Sequence, residues 1–123
     1  MEKPKVLIVE LVPMFSAMYA NLLAKVGIKV LTADNLVDAE FLFNGHRESL
    51  RLVSVDGDCL GVDMTVFVQK MRNSGFNGPK DYIVANTDNV AYRDILMRVG
   101  CSHYCDKSNV LTLIKRLVDF APS

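Results

Sequence analysis

Side chains able to do chemistry gather at one kind of position, the carboxyl end of short apolar runs. Glu10 follows Lys5-Val6-Leu7-Ile8-Val9, and Asp56 ends the run from Leu50 to Val55, with Asp58 two residues on. Asn86 and Thr87 end a third run, and Asp106 and Lys107 follow His103-Tyr104-Cys105. A single Asp in such a place ordinarily caps a turn. Carboxylates, an amide, a hydroxyl and an ammonium on one edge are a different matter, because that set suits an anion bound beside a cation. Cys101, His103 and Cys105 alternate along one strand and form a weaker metal-ligand pattern that lacks a fourth ligand. His46 reads as a surface loop residue, and no base, nucleophile and orienter stand in the pattern that hydrolysis needs.

Five repeats of strand then helix must position these groups. The strands are expected at 5–9, 28–32, 50–55, 81–86 and 103–106, each short and apolar as a strand buried on both faces should be. Helix one starts near Pro13, where a missing N–H costs nothing, and carries the stripe Phe15, Met18, Leu22 and Val26 before Gly27 turns the chain. Asp34 caps helix two, whose inner face is Ala39, Leu42 and Phe43. Helix three runs from about Met64 to Asn73 on Phe67, Val68 and Met71, and helix four uses Tyr92, Ile95, Leu96 and Val99 up to Gly100. Helix five, capped by Ser108, uses Val110, Leu111, Ile114, Leu117 and Val118. Strands separated by single helices pair in parallel through right-handed crossovers, so the fold class is an α/β doubly wound sheet with helices on both faces. In such sheets ligands collect beyond the carboxyl ends of the strands, where the polar set lies.

Bulk properties narrow the classes. The 123 residues suffice for one domain, 1–123, and not for two; half are apolar and 23% charged, a globular balance. Zero formal net charge argues against direct nucleic-acid binding. No apolar run is long enough for a membrane span or a secretory leader, so a cytoplasmic location is expected. Cys59, Cys101 and Cys105 are odd in number and lack CxxC spacing, which favours reduced thiols over a disulfide framework.

From Lys5 to Phe120 the chain resembles the receiver domains of two-component response regulators. The motif residues are Asp56, Gly61 and Asp63 in register within Asp56-Gly57-Asp58-Cys59-Leu60-Gly61-Val62-Asp63-Met64, then Asn86 or Thr87, Tyr104 and Lys107. The resemblance implies a five-stranded parallel, flavodoxin-like sheet of order 2-1-3-4-5. It makes Asp56 the phosphoacceptor, with Lys107 and Asn86 or Thr87 contacting the phosphoryl oxygens and Tyr104 the switch aromatic. It also implies Mg²⁺ on Glu10, Asp56 and Asp58. The donor would be a sensor histidine kinase or a phosphotransfer protein, and the output a downstream effector protein or domain reached through helix four, strand five and helix five. As an enzyme the domain would do no more than accept a phosphoryl group on Asp56 and lose it again.

The departures are specific. Leu11 stands where the family has a second acid that ligates metal, and an isobutyl group coordinates nothing. Two carboxylates about 5 Å apart repel by on the order of 3 kcal/mol at an effective dielectric near 20, so losing one makes an empty pocket less dependent on a cation. Asn86 has no hydroxyl, Ser108 replaces a proline, and Leu60 and Met64 replace the usual Pro and Gly of the loop after Asp56. Two readings follow: a phosphorylated receiver, or a degenerate receiver that binds a partner through the same face without phosphorylation. A flavodoxin-type cofactor site would need a phosphate-cradling loop after strand one, and Glu10-Leu11-Val12-Pro13-Met14 is not one.

Overall fold

A computed structural model describes residues 3–57 and 61–119, with the side chains of 61, 62 and 119 left aside. Its elements are β1 (Lys5–Val9), α1 (Pro13–Ala24), β2 (Lys29–Ala33), α2 (Leu36–His46), β3 (Leu50–Asp56), α3 (Gly61–Asn73), β4 (Tyr82–Asn86), α4 (Val90–Val99), β5 (His103–Cys105) and α5 (Val110–Asp119). The strands form one parallel sheet in the order β2-β1-β3-β4-β5. This is the doubly wound topology, with its reversal of strand order between β1 and β3.

Alternation along each strand divides the core into two layers. Leu7, Val9, Val53, Val55 and Ile83 pack with Phe43 of α2, Phe67 and Met71 of α3 and Leu96 of α4. Val6, Ile8, Leu52 and Val84 face the other way, onto Tyr19 and Leu23 of α1 and Ile114 and Val118 of α5. Burying one such side chain fully is worth about 1.5–3 kcal/mol, so the central strands are the best anchored part of the sheet. Edge strand β2 is partly exposed.

Helix α1 departs from the stripe that its periodicity suggests. Tyr19 and Leu23 are its buried residues, while Met18 is 44%, Leu22 41% and Val26 50% exposed. No charged residue occurs from Pro13 to Ala24, so apolar positions surround the helix and periodicity cannot select a face; packing against the sheet does. Smaller corrections concern caps and faces. Asn35, not Asp34, caps α2, its Oδ1 accepting the Asp38 N–H at 2.8 Å. Ile95 turns outward on α4, and Leu113 joins the buried face of α5. Asn109, not Ser108, precedes α5, in a turn where Asp106 Oδ1 accepts from Ser108 Oγ at 2.9 Å and Asn109 Nδ2 at 2.6 Å. His46 belongs to the last turn of α2, with Nδ1 3.2 Å from Lys5 Nζ, and is not a loop residue. Gly27 and Gly100 adopt φ of 85° and 142°, as turns closing α1 and α4 require.

Candidate functional site

Register brings the strand-end residues together. Val9 of β1 pairs with Val55 of β3, Asp56 with Asn86 of β4, and Asn86 with Cys105 of β5. Backbone bonds continue beyond the strands, from Glu10 N–H to Ala33, Gly57 N–H to Asn86 and Thr87 N–H to Cys105. Residues one step past each strand therefore share one rim. Gly57 makes the close packing there possible: a Cβ on it would lie 2.8 Å from Leu96 Cδ1 and 3.3 Å from Thr87 Cβ.

Lys107 links the two acids. Its Nζ lies 3.0 Å from Asp56 Oδ1 and 3.4 Å from Glu10 Oε1. Glu10 and Asp56 are each only 1% exposed, whereas the Lys107 side chain is 24% exposed and reaches in from the rim. Glu10 Oε2 also accepts the Val12 N–H at 3.2 Å. Burial raises the pKa of Glu10 above its ordinary value, and the neighbouring Asp56 carboxyl group adds to the rise; the Val12 N–H and the Lys107 charge oppose it.

Asn86 and Thr87, the two candidates for the hydrogen-bonding position, are both buried and differ in what they face. Asn86 Oδ1 accepts from Cys105 Sγ at 4.0 Å, and its side chain lies beside the Tyr19 hydroxyl. Thr87 Oγ1 accepts the Asn89 N–H at 3.0 Å at the start of α4, which couples this hydroxyl to the helix. Tyr19 went unnoticed in the sequence. Burial raises its pKa, with the Glu10 charge adding to the effect, and the only sequence signal was an aromatic with a polar tip on an otherwise apolar helix.

Tyr104 stands apart from the acids. It is 53% exposed, with the Arg93 guanidinium stacked 4.5 Å from its ring centre. Both side chains line a groove of about 680 Å³ between α4, β5 and α5, along with Thr87, Asp88, Asp106 and Arg116. The Lys107 N–H donates to Asp88 Oδ1 at 3.0 Å, so the groove and the acidic rim share the turn after β5.

Asp58, expected as a third oxygen donor, lies outside the described residues, as does Cys59. Among the described residues no group of three or more His, Cys, Asp and Glu side chains converges. Two carboxylates meet at the rim, both facing an ammonium, and Leu11 adds no donor. Among the described residues that set fits a Mg²⁺ ion poorly, because the ammonium already lies against both carboxylates and would repel a dication placed between them. The Cys101-His103-Cys105 pattern also fails as a ligand set. Cys101 precedes β5 and packs on the α2–α4 side of the sheet, while Cys105 packs on the α1–α5 side. Burial pushes each thiol up to about 12, which keeps both protonated.

No family model and no curated protein matches the chain. Solved structures do. A response regulator receiver protein from Pseudomonas putida aligns with TM-score 0.78 at 19% identity, covering 98% of this chain and 99% of its own. The chemotaxis protein CheY4 of Vibrio cholerae gives 0.77 at 18% identity, over 94% of this chain and 98% of its own. An orphan response regulator of H. pylori gives 0.74 at 16% identity, over 95% and 98%. These identities speak for architecture, and over nearly its full length the chain has the fold of response-regulator receiver domains.

Proposed function

We propose that the chain is a receiver module that accepts a phosphoryl group on Asp56. The observation that carries this reading is the Lys107 ammonium 3.0 Å from Asp56 Oδ1, on a rim built from three strand ends. In the reaction, a carboxylate oxygen of Asp56 attacks the phosphorus of a phosphohistidine on a sensor kinase or phosphotransfer protein. The P–N bond breaks, its electron pair returns to the imidazole, and an acyl phosphate remains on Asp56. Lys107 offsets charge on one phosphoryl oxygen, and Thr87 or Asn86 donates a hydrogen bond to another. Attack by water on phosphorus later restores the carboxylate.

Output would pass through the groove between α4, β5 and α5 to an effector protein or domain in the cytoplasm. The hydrogen bond from the Asn89 N–H to Thr87 and that from the Lys107 N–H to Asp88 support this route, since each ties the rim to a groove wall. A contact that draws Thr87 toward a phosphoryl oxygen pulls on the start of α4, whose Arg93 is stacked over the Tyr104 ring.

A second reading, a degenerate receiver that works unphosphorylated, is favoured by one observation. Asn86 is buried, and its Oδ1 faces the Cys105 thiol on the inner side of the rim. Intact-mass measurement after incubation with acetyl phosphate and Mg²⁺ separates the two. Gain of one phosphoryl group, absent in Asp56→Asn, supports phosphoacceptance; no gain at saturating donor supports the degenerate reading.

A further inference from the structure

We propose that Lys107 takes the place of a divalent cation in the resting pocket, so that Mg²⁺ is neither bound nor needed there. The inference deepens the receiver reading and rests on it, because it concerns the same rim.

Three observations lead to it. First, among the described residues the two carboxylates that meet at the rim are held by groups of the chain itself. Glu10 Oε1 and Asp56 Oδ1 face the same ammonium, and Glu10 Oε2 takes the Val12 N–H. Second, the next residue in the chain, Leu11, is partly buried at the rim and brings hydrocarbon where another oxygen would be needed. Third, the charges balance differently from a three-acid pocket. Two ionised carboxylates and one ammonium leave a single negative charge, which a dication would overshoot. With a carboxylate at position 11 the residual charge would be twice as large and a dication would cancel it.

Burial sharpens the point. Glu10 and Asp56 are each 1% exposed, so neither acid is neutralised by water and each needs a fixed partner. Lys107 supplies that partner from within the chain, and its four-carbon stem allows the ammonium to stay between the acids or swing to a phosphoryl oxygen.

The test is titration of the full chain with MgCl₂, read by calorimetry and by the thermal midpoint. The expected result is no binding heat and no shift for the wild type. Leu11→Asp, which restores an oxygen donor, should acquire both. Binding or stabilisation of the wild type by Mg²⁺, lost in Asp56→Asn, would overturn the inference, and a folded but silent Leu11→Asp would overturn the role given to position 11. If Leu11→Asp does not fold, paramagnetic broadening of wild-type amide signals by Mn²⁺ decides: broadening at Glu10 and Asp56 overturns the proposal and its absence supports it. Labelling with acetyl phosphate in EDTA separates this inference from the receiver reading. Labelling without metal supports both, and labelling that requires Mg²⁺ overturns the inference alone. No labelling under either condition overturns phosphoacceptance, and the titration then decides the metal question by itself.

Discussion

The acidic rim and the groove between α4 and α5 share the turn after β5 and are otherwise opposites. At the rim the described acids point inward toward one cation: Glu10 and Asp56 are buried, and Lys107 faces both. In the groove Tyr104 is half exposed, Arg93 lies over its ring, and Arg116 lines the opposite wall. Low dielectric makes the rim contacts strong and costly to break, whereas the groove contacts are solvated and worth little to stability. A region built like the rim suits chemistry on a small anion; a region built like the groove suits a surface that a partner reads.

That contrast predicts an order of effects. Lys107→Ala should be the most damaging, costing about 3 kcal/mol in chemical denaturation, because it strands two buried carboxyl groups without their cation. Gly57→Ala comes next at about 1–3 kcal/mol, since its methyl group must displace Leu96, 2.8 Å away, or the Thr87 side chain. A Gly57→Ala protein as stable as wild type would mean that the rim is looser than described.

Glu10→Gln tests the electrostatics. The folded-state pKa of Glu10 is raised, so its contribution to stability is present below the ordinary glutamate value and is lost as the pH rises through the folded value. Glu10→Gln should therefore gain in thermal midpoint over wild type at pH 7, and the gain should shrink as the pH falls through that window. A difference independent of pH would contradict the assigned cause. The smallest stability effect, under about 1 kcal/mol, is expected for Arg93→Ala in the groove. Its consequence should appear in partner binding or signalling output, with phosphoacceptance at Asp56 unchanged.

Legibility in the sequence followed the same physical divide. Strands β1, β3 and β4 were readable because continuous apolar runs bounded by polar residues leave few alternatives, and their ends located Glu10, Asp56 and Asn86 to the residue. Helix α3 was readable from its inner residues, Phe67, Val68 and Met71, because charged residues mark its other face; its start at Gly61 was not. Helix α1 lacks that contrast, so the choice of Tyr19 and Leu23 over Met18 and Leu22 rests on tertiary packing that no local pattern contains. The partners of Asn86 were hidden for a related reason. They come from α1 and β5, and a contact across 67 or 19 positions leaves no mark in spacing. Between Asp34 and Asn35 either side chain can cap a helix, and only the backbone geometry selects Asn35.

Whether a phosphodonor modifies the buried carboxylate beside Lys107 is the question on which the rest turns. Tandem mass spectrometry of the protein treated with acetyl phosphate, trapped by borohydride reduction of the acyl phosphate, reads it at residue level. The account predicts one reduced site, at Asp56, that disappears in Lys107→Ala. Modification at another acid, or none at Asp56 in a protein shown to be folded, would contradict it.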